Sequence, residues 1–220
     1  YFKAKGFAVA GYDRTRSILC EELEAESIEI HYDDSVDLIP ANFLQKEITL
    51  VVYTPAIPTE HSEFQYFQQQ GFTIQKRAQV LGELTRLERG LCIAGTHGKT
   101  TTTSLIYYIL RQAGLNVGLA GNIGNSLALQ VAREQYDYYV IELSSFQLDN
   151  MYDFRADIAI LLNITPDHLD RYDYNFDNYT DAKFRITRNQ TAEDTFIYWA
   201  EDPVIDKYLK ALRQPLGATL

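Results

Sequence analysis

Short apolar runs recur along the chain at Phe7–Gly11, Leu50–Thr54, Leu91–Gly95, Tyr138–Leu143, Ile158–Ile164 and Thr195–Trp199, with periodic, helix-like stretches between them. The runs are continuous rather than alternating, as in Ile158-Ala159-Ile160-Leu161-Leu162, which is how strands covered on both faces read. Strand-like runs alternating with helical segments predict an α/β fold with a mainly parallel sheet, and in such folds ligands bind at the C-terminal ends of the strands. Between Phe64 and Arg89 a helical pattern leads through Gln79-Val80-Leu81-Gly82-Glu83-Leu84 towards the next strand. A domain boundary is placed there, giving domains over 1–88 and 89–220. No internal repeat, low-complexity tract or Pro/Gly-rich linker interrupts the chain, so its pieces should be compactly connected.

With 220 residues, 46% of them hydrophobic and 13% aromatic, the chain can bury a core sized between one large domain and two ordinary ones. Its net charge of -10 argues against a nucleic-acid surface or an anionic membrane as partner, because each needs a basic face. An anionic ligand must therefore be held by a local site. Cys20 and Cys92 lie far apart among apolar neighbours, in what read as a helix and a strand, and are expected to be reduced, packed thiols. No run approaches the roughly 18 consecutive apolar residues of a spanning helix, and no charged-then-apolar leader opens the chain, so a cytoplasmic protein without membrane insertion is expected. The chain opens on Tyr1 and its sole methionine is Met151, which reads as a fragment.

The strongest chemical signal is Gly95-Thr96-His97-Gly98-Lys99-Thr100, preceded by strand-like Leu91-Cys92-Ile93-Ala94 and followed by helix-forming Thr101-Thr102-Thr103-Ser104-Leu105-Ile106. Strand, glycine turn and helix are the context in which backbone N–H groups and a helix N-terminus receive phosphate. Lys99 would add a point charge at the β- and γ-phosphates, and Thr100 is placed to bind Mg²⁺. Ile93 stands where the first glycine of the usual longer loop belongs, so this is a shortened G-x-x-G-K-T form, unlike that of ordinary GTPases and kinases. The bland alternative, a threonine-rich helix start that merely caps a helix, does not account for Lys99.

Three further polar positions follow strand-like or helical segments. Glu142 comes after Tyr138-Tyr139-Val140-Ile141, beside where the loop should lie, as a candidate Mg²⁺ ligand. His168 falls in the polar cluster Asn163-Ile164-Thr165-Pro166-Asp167-His168-Leu169-Asp170-Arg171 at another strand end. Lys183 sits between apolar neighbours on an amphipathic helix, where a lysine by itself reads as solvated or snorkelling.

Together these segments resemble the Mur ligases, over essentially the whole chain. The resemblance implies a Rossmann-like UDP-binding domain followed by a P-loop-type central ATPase domain, both incomplete. It also implies an ATP-dependent ligase that builds the peptide of peptidoglycan by joining an amino acid to a UDP-muramoyl carboxylate. ATP would be held by Gly95, Thr96, His97, Gly98, Lys99, Thr100 and Thr101. Mg²⁺ would be held by Thr100, Glu142, His168 and a carbamylated Lys183, with Lys99, Lys183 and His168 in catalytic roles. Gly121-Asn122-Ile123-Gly124-Asn125 matches a segment near the muramoyl substrate and metal, which makes Asn122 a candidate ligand, although a turn needs the same residues. Asp13, Arg14 and Thr15 after one strand, Thr54, Pro55 and Ala56 after another, and Ser144 complete the implied substrate contacts, in a protein expected to be monomeric.

Residues 1 to about 100 resemble members that add L-alanine, whereas residues from about 114 resemble members that add D-glutamate, the favoured reaction. A recombined or misassembled sequence joined near Gly98-Lys99-Thr100-Thr101-Thr102 is the expectation, which sequencing the source DNA across that stretch decides. The family's first glycine-rich turn is expected before Tyr1 and its C-terminal domain after Leu220, so this chain alone should not complete ligation. The rival readings are a folylpolyglutamate synthase-like ligase and an inert nucleotide-binding fragment.

Overall fold

The computed structural model describes residues 1–86, 89–124, 126–212 and 216–220. Asn125 and the boundary position Glu88 lie outside them. Contacts divide the chain into two compact units, Tyr1–Arg77 and Ala78–Leu220.

The first unit contains β1 (Ala10–Tyr12), α1 (Ile18–Ala25), β2 (Glu29–His31), β3 (Leu50–Tyr53), α2 (Ser62–Gln70) and β4 (Thr73–Lys76). β1 pairs in parallel with β2, and β3 with β4, as two separate two-stranded sheets. Ser17 caps α1 by accepting the Cys20 N–H at 3.3 Å. α2 ends at Gly71, whose φ of 75° is the left-handed conformation that glycine adopts without penalty. The chain then reverses, buries Phe72, and lays Thr73–Lys76 beside β3. The helical pattern expected between Phe64 and Arg89 is therefore broken by a strand, because pairing with β3 outweighs the local propensity of a short polar segment.

The second unit begins within α3 (Arg77–Thr85) and continues as β5 (Gly90–Ala94), α4 (Lys99–Gln112), β6 (Val117–Gly121), α5 (Leu127–Arg133), β7 (Tyr138–Glu142), α6 (Ser145–Asp149), β8 (Ile158–Leu161), α7 (Phe176–Phe184), β9 (Thr195–Tyr198) and α8 (Pro203–Ala211). Its five strands form one parallel sheet in the order β6-β7-β5-β8-β9. Both faces are covered, which is why the strands read as continuous apolar runs. Ile93 and Val140 turn to one face, where Ile106, Tyr107 and Leu110 of α4 pack on them. Their neighbours Cys92, Ala94, Tyr139 and Ile141 turn to the other, larger core with Leu148, Phe154, Ala182 and Ile205. Ala78 and Leu81 of α3 pack against that same core. Cys20 and Cys92 are buried and unpaired, as expected.

The last strand is held by a buried carboxylate. Asp194 accepts hydrogen bonds from Arg155 Nε at 2.9 Å and Nη2 at 3.0 Å and from the Thr191 N–H at 2.6 Å. Burial would raise its pKa, but these donors outweigh burial and hold it below the ordinary carboxylate value. A lowered folded-state pKa stabilises the protein above the ordinary value, and that contribution is lost as pH falls through the folded value. Asp194→Ala is therefore expected to lower the unfolding free energy by about 2–3 kcal/mol at pH 7. Urea titration should show the difference shrinking below about pH 4.

Candidate nucleotide and metal site

β5 runs between β7 and β8, with Ile93 opposite Glu142 on one side and Ala94 opposite Leu161 on the other. The segments that leave their C-terminal ends, 95–98, 142–144 and 162–171, are thereby brought to one edge of the sheet. The loop after β5 needs both of its glycines. Gly95 has φ 151°, and a Cβ there would lie 3.0 Å from Leu162 Cβ, while Gly98 has φ 79° and precedes the first turn of α4. The Gly98 O accepts the Thr102 N–H at 3.0 Å. The N–H groups of Gly98, Lys99, Thr100 and Thr101 therefore form the unpaired N-terminal rim of the helix.

Two ammonium groups converge on this loop. Lys99 Nζ donates to the Gly95 O at 3.0 Å and the Thr96 O at 2.9 Å. Lys183, carried in on α7, donates to the same Gly95 O at 2.6 Å. Lys183 is 2% exposed, so it is neither solvated nor snorkelling; the sheet and α7 carry it into the core edge. Burial first, and the nearby Lys99 charge second, push its pKa down to about 7.

Glu142 ends β7 with 3% exposure, and its Oε2 is buried without a hydrogen-bond partner. A buried, unsatisfied carboxylate oxygen is costly unless a cation meets it, so this position suits a hard, oxygen-preferring ion such as Mg²⁺. β6 ends against the same residue. The Asn122 N–H donates to the Glu142 O at 3.0 Å, and a Cβ on Gly121 would come within 2.1 Å of that oxygen. Asn122 is thus exposed at the rim beside Glu142. Ser144 caps α6 in a reciprocal arrangement with Gln147, which accounts for its hydroxyl without a ligand.

His168 is exposed, with a left-handed backbone (φ 49°), and its ring meets Phe146 edge-on at 5.5 Å between centroids. The Arg171 guanidinium covers Phe146 at 4.5 Å. Thr100 and Thr101 are exposed in the first turn of α4.

The first unit holds its own cleft of about 830 Å³. Asp13, Arg14, Thr15, Thr54 and Ala56 line it, while Pro55 does not. The Asp13 carboxylate accepts the Thr15 N–H at 3.0 Å and so shapes the turn after β1.

The family described as the Mur ligase middle domain matches residues 93–217. The chain belongs to the Mur ligase family. A second family, described as the Mur ligase family catalytic domain, matches residues 1–89. UDP-N-acetylmuramoylalanine--D-glutamate ligase of Bacteroides fragilis is 62% identical over 159 residues, 72% of this chain and 36% of that protein. UDP-N-acetylmuramate--L-alanine ligase of Parabacteroides distasonis is 46% identical over 175 residues, 78% of this chain and 37% of that protein. The chain thus spans just over a third of these relatives. The crystal structure of UDP-N-acetylmuramate:L-alanyl-gamma-D-glutamyl-meso-diaminopimelate ligase from Neisseria meningitides superposes with a TM-score of 0.73 at 21% identity. That match covers 99% of this chain and 71% of that one, and it shows the fold.

Within this Mur ligase, sequence reasoning passed over a group on the cleft wall. His31, Asp34, His61 and Glu63 line it, with His31 Nε2 2.7 Å from Glu63 Oε1 and His61 Nδ1 3.3 Å from Asp34 Oδ1. The available signal was two histidines, each within three residues of a carboxylate, flanking short elements of the first unit. Asn163 was passed over too: the Mur ligase loop after β8 contributes the side chain that grips the glycine loop.

Proposed function

We propose that this Mur ligase is an ATP-dependent amide ligase of peptidoglycan synthesis that adds D-glutamate to UDP-N-acetylmuramoyl-L-alanine. The observation that carries the reading is the meeting of a glycine loop, two lysines and an unsatisfied buried carboxylate at one sheet edge. The relative acting on that substrate is the more similar of the two types, at 62% against 46% identity.

In the proposed reaction the muramoyl carboxylate attacks the γ-phosphoryl of ATP, ADP leaves, and the incoming amine displaces phosphate from the acyl phosphate to form the amide. Phosphoryl transfer depends on positioning and charge neutralisation more than on covalent help. The α4 rim and Lys99 hold the phosphates. Thr100, Glu142, His168 and a carbamylated Lys183 would hold Mg²⁺, which supplies charge neutralisation when bound. Burial and the nearby Lys99 charge lower the Lys183 pKa to about 7, so the uncharged amine is far more accessible at neutral pH than in an exposed lysine. That is the form whose nitrogen can add to CO₂, releasing a proton and leaving a carbamate anion. The first-unit cleft would receive the UDP moiety. Arg14 is the fixed cation on its described wall. Cytoplasmic location and a monomeric state belong to the same proposal.

Addition of L-alanine is the second reading, favoured by the 46% identical relative and by the resemblance of residues 1 to about 100. The matches to the two relatives together exceed the chain's length, so they overlap along it. Packing runs unbroken across the proposed join near Gly98–Thr102: α4 after it rests on Ile93 before it and on Val117 and Val140 beyond it.

Calorimetric titration with Mg²⁺-AMPPNP, UDP-N-acetylmuramate and UDP-N-acetylmuramoyl-L-alanine, each separately, tests the reading. Preference for the alanyl compound supports D-glutamate addition. Binding of UDP-N-acetylmuramate alone assigns the first unit to the alanine-adding type, and no binding of any ligand defeats the enzyme reading for this chain.

A further inference from the structure

The carboxamide of Asn163, the second residue after β8, makes three contacts with the glycine loop. Its Oδ1 accepts the His97 N–H at 2.9 Å and the Thr96 N–H at 3.2 Å, and its Nδ2 donates to the His97 O at 3.1 Å. Neighbouring bonds close the same junction. Thr96 Oγ1 donates to the Thr165 O at 3.1 Å and accepts the Thr165 N–H at 3.0 Å, and Thr165 Oγ1 lies 3.0 Å from His97 Nε2.

The consequence concerns which amides a phosphate can use. A loop of this kind is expected to offer every N–H to the ligand, yet those of Thr96 and His97 are directed at Asn163. The N–H groups of Gly98, Lys99, Thr100 and Thr101 at the start of α4 are the ones left over. We propose that Asn163 is a positioning residue for the reaction: its side-chain amide fixes the first half of the loop so that, of the loop's backbone N–H groups, those of the α4 rim are the ones presented to the nucleotide phosphates. The inference rests on the nucleotide reading above for its ligand, but its geometric half stands apart from it. The primary amide suits the task because it offers an acceptor and a donor on one planar group. Carboxylate in its place would keep the acceptor, lose the donor and set an anion beside the incoming phosphates.

The backbone gives Thr96 a second hold, since its N–H also reaches the Asn163 O at 3.0 Å. Removing the side chain should therefore release His97 more than Thr96. The test compares the wild-type chain with Asn163→Ala and Asn163→Asp by amide hydrogen exchange and by calorimetry with Mg²⁺-AMPPNP. In Asn163→Ala, exchange of the His97 amide is expected to accelerate at least tenfold, with β5 amides such as Ile93 unchanged, and nucleotide affinity to fall on the order of tenfold. Asn163→Asp should retain His97 protection yet lose affinity through its charge. Unchanged His97 exchange in the alanine variant overturns the clamp. So does acceleration spread equally through β5, which would mean general destabilisation, and so does accelerated exchange with unaltered affinity. If wild type itself fails to bind Mg²⁺-AMPPNP, the nucleotide reading falls, while the exchange comparison still decides whether Asn163 sets the loop.

Discussion

Lys99→Ala is expected to abolish ATP turnover in the full-length ligase, a loss of about a hundredfold or more, since a single preorganised charge at a transferring phosphoryl group contributes that much. The Lys99 Nζ rests on the Gly95 and Thr96 carbonyls, so it is already over the loop and needs only a change of partner to meet a phosphate. Its removal leaves the fold intact, because the loop is fixed independently through Thr96, His97 and Asn163. It also removes one of the two causes that lower the Lys183 pKa, so Lys183 should become more basic in the variant. A steady-state assay of phosphate release, with circular dichroism confirming the fold, decides the matter. Turnover equal to wild type would refute the role given to Lys99.

The central sheet was legible wherever a strand is buried on both faces. β5, β7 and β8 appear in the sequence as apolar runs because successive positions turn to opposite cores, as Ala159 and Leu161 do to one and Ile160 to the other. β6 escaped because Gly118 interrupts its apolar run and Gly121 opens a segment that also reads as a turn; a Cβ on Gly118 would meet the side chains of Gln130 and Tyr136, and one on Gly121 the backbone of Glu142. β2 and β4 escaped because they are short, polar and paired on one side only. The glycine loop was legible as a motif, since its chemistry is local. Lys183 was legible only by resemblance: nothing in Asp181-Ala182-Lys183-Phe184 says that its ammonium ends against a carbonyl 88 positions earlier. Asn163 stood in a recognised cluster, yet its task appears only when β8 lies beside β5. Ser144 shows the converse, a residue in a suggestive segment whose hydroxyl caps a helix.

Lys183→Met should move stability and activity in opposite directions. An ammonium whose pKa falls from 10.5 to about 7 on folding opposes folding by an amount on the order of 5 kcal/mol below pH 7, at about 1.4 kcal/mol per pH unit. The sign follows from proton counting: between pH 7 and the ordinary lysine value the unfolded chain binds more protons than the folded one, so stability rises with pH across that window. Methionine fills similar space without a charge, and the Gly95 O keeps its bond from Lys99. The variant is therefore expected to unfold at higher urea than wild type at pH 7 and to lack the rise towards pH 10, measured in bicarbonate-free buffer so that no carbamate forms. Ligase activity of the full-length enzyme should fall about a hundredfold or more, because methionine cannot supply the anion that the proposed metal site requires. Equal pH slopes for the two proteins would show that the Lys183 ammonium is not buried at this junction. A gain in stability together with retained activity would instead confine Lys183 to packing and remove the carbamate from the mechanism.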